Sequence, residues 1–229
     1  RVEQGLAWLP WWLVVLAVVA LVWHAFGRKI VPALLMGGLM ILVGTFGLWS
    51  EMMTTIALMV VATAVTIVIG IPIGIFMAKS DSVRAVLKPI LDGMQTMPSF
   101  VYLIPAMLLF GLGKVPAVLA TLIYSTPPVI RLTNLGIRQV SPEVQEAALA
   151  YGATRWQLLE EVRLPLAMPS ILACVNQTTM MALSMVVIAS MIGARGVGEE
   201  VLLAINRIDV GRGFEAGLAI VALAIVMDR

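Results

Sequence analysis

The strongest constraint on the fold is a series of long stretches with no Lys, Arg, Asp or Glu: residues 5–27, whose lone titratable group is His24, then 30–50, 52–78, 93–113, 115–130, 164–194 and 216–227. A surface helix of a soluble protein needs a polar face, and these runs offer none. About 20 apolar residues cross a hydrocarbon core of about 30 Å, which most of the runs can do. A membrane β-barrel would instead show alternation in strands of about 10 residues. The expectation is an all-α membrane protein of about seven transmembrane helices. Composition agrees, with 61% hydrophobic and 12% charged residues and a mean hydropathy of +1.02. A soluble domain carries about 25% charged residues. Little chain remains for a soluble catalytic domain, so any such machinery is expected on other chains.

The run 115–130 is short and ends in Tyr124-Ser125-Thr126-Pro127-Pro128. Its helix either breaks there or continues past Arg131, with that arginine at the interface. The first run is too long for a signal peptide and lacks a basic leader and a small-residue cleavage pattern, so it reads as a true span. The chain opens on Arg1, and its last apolar run stops at Asp228-Arg229; a piece of a longer protein is the expectation.

Net charge is +2, and the basic residues lie between apolar runs without forming a patch for nucleic acid. They act as topology signals. With the N-terminus outside, Arg28, Lys29, Lys79, Arg84, Lys88, Arg131, Arg138, Arg155, Arg163 and Arg229 share one side, against Arg1, Lys114, Arg195, Arg207 and Arg212 on the other. The positive-inside rule makes the first side cytoplasmic. The polar stretch 131–165 then faces the cytoplasm and the stretch 195–215 faces outward.

The cytoplasmic stretch has strong local signals. Ser141 followed by Pro142 and Glu143 is a helix start, supplying an N-cap, a proline at the first helical position and an acid near the positive dipole end. That helix is expected to run to Tyr151, where Gly152 takes a left-handed conformation and turns the chain. Thr154 then caps a second short helix ending before Pro165. Ala147, Ala148 and Ala150 leave the first helix nearly bare, while Tyr151, Trp156, Leu158 and Leu159 are large apolar groups in a polar loop. Either they tuck under the loop or rest at the bilayer interface, or they meet a partner surface.

Glu146-Ala147-Ala148, three residues, Gly152, nine residues, then Val162-x-Leu164-Pro165 resembles the EAA loop of ABC-importer permeases, written as EAA, three residues, G, nine residues, I-x-L-P. The one departure, Val162 for isoleucine, removes a single methylene. The stretches 96–105, 127–133 and 175–192 look like the glycine betaine/proline betaine branch of that family, with the likeness covering about 51–229. The resemblance implies two accessory helices in 1–50 and a five-helix type I importer permease core in 51–229, with the coupling loop at 131–165. It also implies ATPase coupling through Glu146, Ala147, Ala148, Gly152, Leu164 and Pro165. The implied partners are an ATP-binding subunit carrying the ATP and Mg, a second permease copy in a homodimer or else a close paralogue, an external binding protein or fused binding domain, and membrane lipid. The implied location is a bacterial or archaeal cytoplasmic membrane, and the implied role is osmoprotection by uptake of compatible solutes.

Several classes of function lack their residues. Gly111-Leu112-Gly113-Lys114-Val115 misses both the spacing and the hydroxyl residue of a phosphate-binding loop, so no cofactor and no ATP hydrolysis are expected on this chain. His24 and Cys174 are too far apart in sequence to suggest a metal site, and one cysteine allows no internal disulfide. A proton- or sodium-driven carrier usually has an acid within a span. Here Glu51 and Asp92 are boundary residues, which leaves Glu215, at the start of the last span.

For cargo, an unpaired cation at low dielectric is costly, and no midplane acid is on offer. A zwitterion such as a betaine fits better than a bare cation, with choline, carnitine or an amino acid as alternatives in the same importer class. Phe100, Tyr102 and Tyr124 would give a trimethylammonium head cation–π contacts, and Asn176 and Gln177 would donate to a carboxylate. Asn176, Gln177, Thr178 and Ser184 form a polar stripe that serves equally well as interhelical glue. Gly70-Ile71-Pro72-Ile73-Gly74 contains a GxxxG that marks either helix dimerisation or, the favoured reading, an intrachain packing site or a kink.

Overall fold

A computed structural model describes residues 10–25, 27 and 29–228. All regular structure among the described residues is helical: α1 (Trp11–Ala25), α2 (Ile30–Thr45), α3 (Trp49–Lys79), α4 (Asp81–Thr96), α5 (Phe100–Phe110), α6 (Lys114–Arg138), α7 (Pro142–Ala150), α8 (Arg155–Ile192), α9 (Val197–Arg207) and α10 (Val210–Asp228). Four of these, α3, α6, α8 and α10, are long and apolar enough to cross a membrane, and α4 with α5 adds a fifth if the pair is one broken span. α1 and α2 are apolar helices of 15 and 16 residues. The start of the first apolar run, and the side assignments of Arg1, Arg28 and Arg229, lie outside the described residues.

Local sequence expectations are corrected in three places. The run 93–113 is two helices, because Pro98 disfavours helical dihedrals at Met97, which adopts an extended ψ of 133°. The polar stretch before it forms a helix, α4, capped by Ser80, whose Oγ accepts the Val83 N–H. The second helix of the stretch 131–165 does not end before Pro165. It opens over Arg155–Gln157, widens to a π-helix over Leu158–Arg163 and continues as α-helix over Leu164–Ala189. In α register the missing Pro165 N–H would orphan the Glu161 carbonyl. The widened turn shifts the register just ahead of it, with the Leu164 N–H donating to the Leu159 carbonyl, so the helix runs through.

α6 also runs through its prolines, the second of the two alternatives open in sequence. Pro127 and Pro128 withdraw the amide donors for the Ile123 and Tyr124 carbonyls. Within the same turn, Thr126 Oγ1 donates to the Leu122 carbonyl at 2.6 Å, and the helix continues past the prolines with Val129 and Ile130 buried.

The described chain forms two compact units. Unit one comprises the described residues of Arg1–Ala62, Phe100–Thr121 and Thr179–Arg229. Here Val22, Ala33 and Met36 pack with Val18, Val19, Leu39 and Val226, joining α1, α2 and α10. The first turn of α9 is held from α3: the Val197 N–H donates to Thr55 Oγ1 at 2.9 Å, and that hydroxyl donates to the Glu51 carbonyl at 2.8 Å. Arg212 on α10 donates to Glu200 on α9, to Glu215 and to the Phe46 carbonyl.

Unit two comprises Thr63–Ser99 and Leu122–Thr178. Its core is Ala78, Val129, Ile137, Leu159, Ala167, Ile171 and Cys174. Glycines bring the helix backbones together. A Cβ on Gly70 would meet Val129 Cγ1 at 2.7 Å, one on Gly74 would meet Thr133 Cβ at 2.6 Å, and one on Gly136 would meet Ser170 Cβ at 2.7 Å. The Gly70/Gly74 pair thus serves intrachain packing of α3 on α6.

Candidate functional site

The loop 131–165 is built in unit two by a chain of local rules. Ser141 Oγ accepts the Val144 N–H and Pro142 occupies the first helical position of α7. At the other end Gly152, at φ +88°, closes the helix. Its N–H donates to the Leu149 carbonyl at 2.9 Å, and the Ala153 N–H to the Ala148 carbonyl at 3.1 Å. This paired arrangement satisfies two terminal carbonyls and needs a residue at ease with positive φ. Two residues on, Thr154 and Gln157 form a reciprocal capping box that starts α8.

The loop is fixed to the unit by Gln145. Its Nε2 donates to the Val140 carbonyl at 2.7 Å, while its Oε1 accepts from Arg163 Nε at 3.0 Å and also from Arg163 Nη2. One amide therefore joins α7 to the π-turn of α8. The result is a short, rigid helix with a presented face. Glu146, Ala147 and Gly152 are exposed and Ala148 is partly covered. Leu164 packs on the unit-two core while Pro165 is exposed. The loop's large apolar groups divide. Leu158 and Leu159 are buried at 6% and 4%, whereas Tyr151 is 94% and Trp156 63% exposed.

The residues considered for a solute path are less concentrated. Phe100, Tyr102 and Ser184 belong to unit one, and Tyr124, Asn176 and Gln177 to unit two. Phe100, Asn176, Gln177 and Ser184 are exposed, Tyr124 is half-buried and Tyr102 is buried. Ser184 Oγ donates to the Met180 carbonyl and Thr178 Oγ1 to the Cys174 carbonyl, each four residues back on α8. These two hydroxyls bond along their own helix.

Sequence reasoning missed the clasp of α4 on α6. Arg138 Nη2 lies 2.7 Å from Asp81 Oδ1, and Arg131 pairs with Asp92 one helix length further on. Along the same helix Leu87, Leu91 and Met94 pack on Met77 and Ile130. The signal was available as apolar residues at positions 87, 91 and 94 behind a Ser80 cap. Also missed was a cationic cavity beside the loop, lined by Lys79, Leu149, Arg155, Trp156, Leu158, Leu159 and Arg163. Among the described residues no group of His, Cys, Asp and Glu is placed to hold a metal ion.

Residues 70–229 match the family described as binding-protein-dependent transport system inner membrane component. The chain is 48% identical over 223 residues to the glycine betaine/carnitine transport permease protein GbuB of Listeria monocytogenes, covering 96% of this chain and 78% of that one. It is 46% identical over 227 residues to the glycine betaine/proline betaine transport system permease protein ProW of Escherichia coli, covering 99% of this chain and 64% of ProW's length. Among solved structures, an inward-facing form of the MetNI methionine ABC transporter superposes with a TM-score of 0.69 at 20% identity, covering 76% of this chain and 88% of that one. That likeness concerns the fold.

Proposed function

Because the chain belongs to the family of binding-protein-dependent transport system inner membrane components, we propose that it is the permease subunit of an ATP-driven importer for glycine betaine, proline betaine and similar compatible solutes. The observation that carries the coupling part of this reading is the loop geometry. α7 presents a face of small side chains, capped at both ends and tied by Gln145 to Arg163. A rigid helix with a bare face suits insertion into a cleft of another subunit, and its attachment to α8 carries a push on the loop into a helix long enough to span the membrane.

In this reading ATP and Mg bind on a separate ATPase subunit, and this chain is not an enzyme. Two permease copies in the lipid bilayer enclose the path, α1 and α2 are accessory to a core beginning at Glu51, and an external binding protein or fused binding domain delivers solute. The coupling loop faces the cytoplasm of a bacterial or archaeal cell and the N-terminal end lies outside. ATP binding draws the loops together and turns the path outward; hydrolysis returns it inward. Glu146, Ala147, Ala148 and Gly152 form the contact, while Leu164 and Pro165 anchor it. Phe100, Tyr102 and Tyr124 would meet a trimethylammonium head, and Asn176, Gln177 and Ser184 its carboxylate. The Glu215 carboxylate, which an ion-coupled carrier would need free, is engaged by Arg212.

Reconstitution with an ATPase subunit and a betaine-binding protein tests this. Betaine-stimulated ATP hydrolysis and betaine uptake are expected. Uptake of choline, carnitine or an amino acid without betaine would reassign the cargo, and ion-driven uptake without an ATPase would overturn the importer reading.

A further inference from the structure

The cavity beside α7 has a volume of about 570 Å³ and gathers Lys79 from α3 with Arg155 and Arg163 from α8. No carboxylate lines it. Among the described residues none of the three cations is in an ion pair: Lys79 Nζ sits 4.9 Å from the centroid of the Trp156 ring, and Arg163 bonds the neutral amide of Gln145. Like charges gathered on one partly apolar wall repel one another, and that repulsion grows as water is excluded. An anion in the cavity would reverse its sign.

The depth of the site identifies the anion's source. α3 has 31 residues, so at 1.5 Å per residue it is about 46 Å long, against about 40–45 Å for a bilayer including its headgroup layers. An α3 that crosses the bilayer end to end puts Lys79, its last residue, in one headgroup layer and Trp49 in the other. An exposed tryptophan such as Trp156 suits the same layer. Leu149, Leu158 and Leu159 complete the lining and offer an apolar wall to the glycerol and first methylenes of a lipid chain.

We propose that this cavity is a binding site for the headgroup phosphate of an anionic phospholipid. Lys79 and Arg155 contact the phosphate, Arg163 supplies charge from behind, and Trp156 holds the Lys79 ammonium in place. The inference rests on the proposed orientation only for which leaflet supplies the lipid, so it stands or falls separately from the cargo and the ATPase.

Native mass spectrometry of the full-length membrane protein, with added phosphatidylglycerol or phosphatidylcholine, tests the site. Phosphatidylglycerol is expected to be retained preferentially. Lys79→Gln and Arg155→Gln are each expected to weaken its retention about tenfold, because a charge-assisted hydrogen bond contributes roughly that factor. Lys88→Gln, exposed on α4, serves as the control and is expected to change nothing, and a thermal unfolding curve confirms that each variant is folded. Equal retention of both lipids, unchanged retention in the folded variants, or displacement of phosphatidylglycerol by inorganic phosphate at equal concentration would each overturn the proposal. So would variants that keep the lipid but lose capture of the ATPase subunit, which would assign the cations to a protein partner.

Discussion

Arg138, the last residue of α6, holds Asp81, the first residue of α4, with 2.7 Å between Nη2 and Oδ1. The same guanidinium group also reaches Asn134 Oδ1 and the Met77 carbonyl. At the far end of α4, Asp92 pairs with Arg131. The two clasps differ in exposure. The Asp81 side chain is 85% exposed, while Asp92 and Arg131 are 48% and 33% exposed and Arg131 Nε is buried without a partner.

Solvent screens the Asp81 pair, so Asp81→Asn is expected to cost less than about 1 kcal/mol. Asp92→Asn leaves a partly buried guanidinium group short of its acceptor and is expected to cost about 1–3 kcal/mol. Thermal unfolding of the two variants in detergent checks the order. A larger loss for Asp81→Asn would contradict it.

Gly152 requires glycine because of its dihedral and not for space. Its φ is +88°, and a Cβ there would meet nothing within 4 Å. Gly152→Val is therefore expected to strain the turn by roughly 1–2 kcal/mol, with normal membrane insertion but lost uptake and poor ATPase association. Gly152→Asn, which tolerates positive φ, is expected to keep most uptake. Equal activity of the Val variant and the parent protein would count against the turn as the coupling element.

Gly74 has the opposite requirement. It lies within α3, where alanine suits the backbone, but the added methyl would press on Thr133 Cβ at 2.6 Å and the Ile130 carbonyl at 2.9 Å. Gly74→Ala is expected to destabilise by about 1–3 kcal/mol through overpacking. Gly38→Ala, also within a helix and with nothing within 4 Å, is expected to stabilise slightly, by up to about 1 kcal/mol. Melting temperatures of the pair should move in opposite directions.

Ile208 joins α9 to α10 at φ +56° and is 85% exposed. A β-branched residue in the left-handed region costs roughly 1–2 kcal/mol, and little burial offsets that here. Ile208→Gly is expected to raise stability by about 1 kcal/mol. A drop in melting temperature would mean that the isoleucine side chain makes a contact in the membrane that outweighs the strain.

Much of this protein follows from its sequence alone, and for one reason: the signals act within a turn or two of backbone. Uncharged runs demand a hydrocarbon surrounding and internally paired backbone, so the membrane-helical architecture needs no tertiary information. Ser141-Pro142, Gly152 and Thr154 set the ends of the loop helices by local capping and dihedral preference, and the structure places those ends as expected. The tertiary structure alone decided which distant groups meet. Asp92 and Arg131 are 39 positions apart, and Thr55 and Val197 are 142 apart; no local preference selects either pair. Helix continuity drew on both levels. Proline removes a backbone donor in α6 and in α8; the Thr126 hydroxyl and the buried Val129 and Ile130 accompany the passage of α6, and the π-turn ahead of Pro165, with Leu159 buried, accompanies that of α8. At Pro98 the chain broke, with extended backbone at the residue before it. The cationic cavity belongs to the same class, because Lys79 and Trp156 are brought to 4.9 Å by the packing of α3 and α8, which no spacing in the chain records.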